Sequence, residues 1–298
     1  MQPAATRFIK PDVLTRIANL ELLARGVVEG FITGLHRSPY KGVSVEFMEY
    51  RPYMPGDDPA YVDWKLFART DRYYIKQFED ETNTSLNLLM DVSPSMGYGS
   101  GAVTKLDYAS YLTAALAYLV IRQRDAVGLS LFDSELGLRI PPRSTTGHLH
   151  TLLTHLEAAK LGTRTAIGKP LHDLAKALKR RGFVVLVSDL LDDPEVTLDG
   201  LRHFRFKGHE VIVFHLLDPQ EVRFDFDDVV ELEDLETGEK LLVEPDDARA
   251  LYLENLERFQ GTLRRGCALL GIEYFPLVTD EPLDFALFEY LAARQKRR

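Results

Sequence analysis

Cysteine is almost absent. The 298 residues hold one, Cys267, so neither an intramolecular disulfide nor a cysteine-rich zinc site can form. Around it Tyr252, Leu256, Phe259, Leu263 and Leu270 recur at steps of three and four, which places the thiol on the apolar stripe of a helix. Long hydrophobic runs are missing too. The richest stretch, YLTAALAYLVI (111–121), falls short of the ~18 apolar residues that span a bilayer, and its period is helical. MQPAATRFIKPDVLTRIANLELL, at the N-terminus, lacks the apolar core of a signal peptide, so a cytoplasmic protein with no membrane span is expected. Positive charge is in deficit, with 36 Lys and Arg against 45 Asp and Glu and a formal net charge of -9. Duplex nucleic acid and anionic lipid both need a positive face, so neither is expected as the main partner. No G-x-x-x-x-G-K-[ST] loop occurs, because IGKP (167–170) lacks both the spacing and the hydroxyl, so the chain is not expected to be an ATPase itself. His36, His172, His203, His209 and His215 show no ligand spacing, while His148 and His155 share a helix face. His148, His150 and His155 read as partly exposed residues of one helix.

What the chain does have, from about residue 81 onward, is alternation. Apolar runs of strand length occur at 85–91, 126–133, 183–189, 210–217 and 272–278, and amphipathic stretches such as Leu106, Ala109, Leu112, Leu116 and Leu119 lie between them. Near-continuous apolar strands separated by helices predict a doubly wound, mostly parallel α/β sheet covered on both faces. Basic residues, then glycine, then a strand recur in KALKRRGFVVLV, FRFKGHEVIVF and LRRGCALLGIEYF, which predicts left-handed glycine caps at helix ends. Asp193-Pro194-Glu195 reads as a helix start, and residues 229–245 as a short hairpin around Thr237-Gly238. Residues 1–80 differ. A helix is expected over 11–29 and strands over 44–50 and 73–81, forming a small N-terminal α+β flank packed on the main domain of 81–298. Asp57 and Asp58 read as a turn and Trp64 as core.

In an open parallel sheet, ligands bind beyond the carboxyl ends of the strands. Asp91 ends the first strand, Ser93 and Ser95 follow it, and Asp189 ends the strand FVVLVSD. Thr163 and Thr165 lie in the loop LGTRTAIGKPL before the preceding helix. Oxygen-only ligands of this kind suit Mg²⁺ or Mn²⁺ and not zinc or copper. In Asp-x-Ser-x-Ser, residues two apart in an extended segment face the same way, so all three can address one ion. Two rival readings are weaker. A phosphatase with an aspartate nucleophile needs a second carboxylate two residues on, where Ser93 stands. GYGSGA (97–102) matches a dinucleotide fingerprint in letters, but six residues separate Asp91 from Gly97, and the helix is expected to start only near Thr104.

Asp91-x-Ser93-x-Ser95, Thr165 in TAIGKPL and Asp189 in VLVSD together resemble the metal-ion-dependent adhesion site of von Willebrand factor A (VWA) domains. The resemblance implies that the two serines and the threonine coordinate Mg²⁺ or Mn²⁺ while the two aspartates hold it through water. It favours Thr165 over Thr163 from the pattern T-x-x-G-x-x-L. Upstream, Gly42, Phe47, Arg51, Tyr53, the Gly56-Asp57-Asp58 turn, Asp63-Trp64 and Ala68-Arg69, with EPLDFALFEYLAARQ near the end, are similar to the bacterial domain of unknown function 58 family. That resemblance implies a metal-dependent protein–protein interaction module. Its expected partner offers an Asp or Glu carboxylate, as a MoxR-type AAA+ ATPase or its client would, in the assembly or activation of other proteins. The alternative from another class is a metal-dependent phosphatase or esterase using Asp91 and Asp189.

Overall fold

The computed structural model describes residues 11–15, 19–37, 50–52, 73–76, 85–226, 228–235 and 237–295. Strands β1 (Tyr50–Pro52) and β2 (Tyr74–Lys76) form a small antiparallel pair. Strands β3 (Ser85–Asp91), β4 (Ala126–Phe132), β5 (Leu136–Arg143), β6 (Phe183–Ser188), β7 (Glu210–Leu217) and β10 (Glu273–Val278) build the central sheet in the order β10-β7-β6-β3-β4-β5. All pairings in it are parallel except β4 with β5. A further antiparallel hairpin joins β8 (Val230–Glu233) and β9 (Lys240–Val243).

Alternation along each strand divides the interior into two layers. Leu86, Leu88 and Met90 of β3, with Val185 and Val187 of β6, face the helices Leu20–Arg37, Lys105–Arg122, Thr146–Glu157 and Asp284–Gln295. Leu89 of β3, with Val184 and Leu186 of β6, faces Gly168–Ala177, Pro194–Phe206 and Pro245–Leu269. Every residue of β6 is buried, as expected for a central strand covered on both sides. Cys267 belongs to the second layer, where burial pushes its thiol up to about 12. From β3 the chain winds to β4 and β5 on one side and then to β6, β7 and β10 on the other. The crevice between β3 and β6 is therefore the switch point of the sheet.

Several local expectations change. The helix expected over 11–29 is two helices, Pro11–Leu14 and Leu20–Arg37, because the Asn19 Oδ1 accepts the Leu22 N–H (2.9 Å) and starts a second one. Gly208 (φ 81°) and Gly271 (φ 65°) are left-handed as expected, but Gly182 is not. The helix before Gly182 stops at Ala177, and a Cβ at Gly182 would stand 2.3 Å from the Ser85 carbonyl oxygen, so close packing explains that glycine instead. β5 escapes the apolar-run criterion. It lies at the sheet edge, alternates partly covered with exposed residues, and carries Pro141 and Pro142. His148 is buried, its Nε2 2.8 Å from the Val127 carbonyl oxygen, while His150 and His155 are exposed. Asp57, Asp58, Trp64, most of both N-terminal strand predictions and the boundary near residue 80 lie outside the described residues.

Candidate metal centre at the switch point

Asp91 is the last residue of β3 and only 2% exposed. Pro94 at the first position opens a short 3-10 turn, Pro94–Gly97, which Ser93 precedes without a side-chain capping bond, and the turn brings the loop back over the strand end. Both Asp91 oxygens are engaged. Oδ1 accepts the Ser93 N–H (2.8 Å) and Oδ2 accepts the Ser188 hydroxyl (2.5 Å) across the β3–β6 crevice. Burial, and then the charge of Asp189, pushes the Asp91 carboxyl up; the bonds from Ser188 and Ser93 oppose that rise by favouring the carboxylate. The Ser93 and Ser95 hydroxyl oxygens lie 3.1 Å apart, so the two side chains share one side of the turn.

Three loops are stitched together here. The Gly162 N–H donates to the Val92 carbonyl oxygen (2.6 Å), tying loop 159–167 to the end of β3. The Ile167 N–H donates to Asp192 Oδ2 (2.9 Å), tying the same loop to the segment after β6. A Cβ at Gly162 would fall 2.2 Å from the Asp133 carboxylate, so only glycine allows this approach. Thr163 is exposed, and its N–H is held by Asp133 (3.2 Å). Thr165 is half-buried, and its Oγ1 is buried with no hydrogen-bond partner among the described residues. A buried hydroxyl left unpaired is costly, so such an atom asks for a ligand.

Asp189, 1% exposed, follows β6 directly. The next residue, Leu190, is left-handed (φ 54°) and buried, with its N–H on the Ser188 hydroxyl oxygen (2.9 Å). This tight reversal aims Ser188 and Asp189 to the same end of the sheet. Asp189 Oδ2 accepts from Lys105 Nζ (2.8 Å), and the same ammonium reaches Glu221 Oε1 (2.7 Å). Burial alone would lower the Lys105 pKa; the charges of Asp189 and Glu221 outweigh it and raise it, so the ammonium stays protonated. Glu221 Oε2 also accepts the Asp218 N–H (2.7 Å) as half of a capping box, and Asp218 Oδ2 accepts the Ser100 N–H (2.8 Å). Beside Asp189, His215 is fully buried; burial pulls its imidazole down to about 4, and its Nδ1 lies 2.5 Å from the Tyr274 hydroxyl.

The structure thus brings Asp91, Ser93 and Ser95 into one bonded turn. It sets Asp189 across the crevice through Ser188 and ties in the Thr165 loop through Gly162 and Ile167. Ser188, Lys105 and Glu221 were not singled out from the sequence. Lys105 had left a trace: a cation at the first position of a helix capped by Thr104 opposes the helix dipole, so something else must hold it.

The strand order and the helices on both faces of the sheet define a VWA-like α/β domain. An aerotolerance-related membrane protein from Bacteroides fragilis shares this fold, with TM-score 0.50 and 15% identity over 70% of this chain and 98% of that one. The chain belongs to the family described as protein of unknown function DUF58, which matches residues 49–260. Relatives include the uncharacterized protein Rv1480 of Mycobacterium tuberculosis, 28% identical over 296 residues, 96% of this chain and 91% of the relative. The uncharacterized protein YeaD of Bacillus subtilis is 27% identical over 151 residues, 48% of this chain and 34% of its own length. Among the described residues, no helix is long and apolar enough to cross a membrane.

Proposed function

We propose that the chain is a non-enzymatic, Mg²⁺- or Mn²⁺-dependent protein-interaction module acting in the cytoplasm. The observation that carries this reading is the orphaned Thr165 hydroxyl oxygen, buried in a loop tied to a turn that already pairs two serine hydroxyls. Ser93, Ser95 and Thr165 would hold the ion, and Asp91 and Asp189 would hold it through water. Hard oxygen donors with two carboxylates nearby suit such a cation. Hydroxyl ligands leave it strongly positive, so it would attract a carboxylate of a partner. By family resemblance that partner is a MoxR-type AAA+ ATPase or its client. Hydrolysis fits less well, because Ser93 stands where a second carboxylate would be needed as general acid.

Titration calorimetry with Mg²⁺ and Mn²⁺ tests the reading. The native chain should bind, and Asp91→Ala and Ser93→Ala should weaken binding by at least about tenfold, as loss of metal-site groups does, with circular dichroism unchanged. Equal affinity in native and variant chains would discard the site. Turnover of p-nitrophenyl phosphate that disappears in Asp91→Ala would replace the module by a hydrolase.

A further inference from the structure

The hairpin β8–β9 leaves the sheet on the side where the metal centre lies. It follows the Pro219–Arg223 helix, whose Glu221 holds Lys105, and precedes the Pro245–Leu269 helix. None of its residues belongs to either core layer. Its register puts Val230 opposite Val243 and Leu232 opposite Leu241, which makes one face wholly apolar. The other face carries Glu231, Glu233, Lys240 and Leu242, with Lys240 paired to Glu231 (2.6 Å) and Glu233 (3.6 Å). On the apolar face Leu232 is 38% and Leu241 65% exposed. Val229 and Leu235, at either end, are exposed as well. A monomer gains nothing by presenting such a face to water.

Charge says what kind of partner covers it. Residues 225–247 hold eleven of the 45 acidic residues and one of the 36 basic ones, which leaves 34 acidic against 35 basic in the rest of the chain. The entire negative excess of the protein is therefore concentrated around this hairpin. Like charge at that density repels acidic surfaces and anionic lipid and attracts cations. We propose that the apolar face of β8–β9 is a docking surface for a basic amphipathic segment of a partner protein. The partner's apolar side chains cover Leu232 and Leu241, and its Lys and Arg residues meet carboxylates of the segments flanking the hairpin, such as Asp228, Glu244, Asp246 and Asp247, since Glu231 and Glu233 lie on the opposite face with Lys240. This contact does not depend on the metal site, and the two can fail separately.

The test uses the full chain, in EDTA, and a fluorescein-labelled amphipathic 14-residue peptide of leucine and lysine, followed by fluorescence anisotropy. A control peptide of the same composition has its leucines scattered around the helix. The native chain should bind the amphipathic peptide about tenfold more tightly than the control, and the double substitution Leu232→Ser with Leu241→Ser should remove that advantage. Both leucines are exposed, so the thermal midpoint of the variant should match that of the native chain and show that it is folded. Equal binding of the two peptides to the native chain, or undiminished preference in the double variant, would reduce the effect to bulk charge and overturn the proposal. Binding of the amphipathic peptide that appears only when Mg²⁺ replaces EDTA would move the contact to the metal centre and overturn it too.

Discussion

At the scale of single residues, Lys105 is held from two sides. Its ammonium is sealed between Asp189 and Glu221, and it is 1% exposed. Lys105→Met would leave Asp189 without its cation inside the protein, and removing one member of a buried pair costs about 3–5 kcal/mol. Glu221→Gln, on the more accessible arm, should cost clearly less. Urea denaturation of both variants checks the order, and a Lys105→Met chain as stable as the native one would contradict it. Asp91, Ser93, Ser95 and Asp189 were legible because polar residues at strand ends stand out against apolar runs, whereas Thr165 was preferred to Thr163 only through the VWA resemblance. Ser188 and Lys105 were not legible. Ser188 looks like the last residue of a buried strand, and only the β3–β6 pairing shows its hydroxyl crossing to Asp91. The pull between Lys105 and Asp189 spans 84 residues, which no local pattern reveals.

Elements were read well where one rule acted alone. β3, β4, β6, β7 and β10 are continuous apolar runs and fall within a residue of their expected bounds. β5 lies at the sheet edge, so Leu136, Leu138 and Ile140 alternate with Gly137, Arg139 and Pro141 instead of forming a continuous apolar run, and a search for such runs passes over it. The Asp284–Gln295 helix shows two rules in conflict. An acid in the first turn suits the helix dipole, yet burial pushes the Asp284 carboxyl up to about 6 from its usual 3.8. A raised carboxyl binds its proton more tightly in the folded chain. Its stabilising contribution is therefore complete below about pH 4 and is lost as pH rises through 6. Asp284→Asn should match the native chain near pH 4 and exceed it in stability above pH 6. Urea midpoints at pH 4, 5 and 7 measure this, and a gap that narrows with rising pH would refute it.

Taken whole, the molecule keeps the β8–β9 hairpin apart from its core. The two core layers are built by the six-stranded sheet and the helices flanking it, and the β8–β9 hairpin adds nothing to them. Replacing residues 229–243 by a short Gly-Ser link removes five acids and one lysine, taking the formal charge from -9 to -5. The thermal midpoint should move by no more than the ~2–4 °C that corresponds to 1 kcal/mol in a domain of this size, while elution from an anion exchanger shifts to lower salt. A collapse of the midpoint would show the hairpin to be structural. The overall architecture could be read from the sequence because it rests on composition repeated along the chain. The location of the charge excess could also have been counted there, but only the register of β8 with β9 shows that it surrounds an apolar face. The two outermost strands of the large sheet, β5 and β10, both carry proline, at 141, 142 and 276. Proline has no amide hydrogen to give a neighbouring strand. Proline on an edge strand discourages pairing with a strand of another copy, so both flanks of the large sheet carry a feature that works against edge-to-edge association.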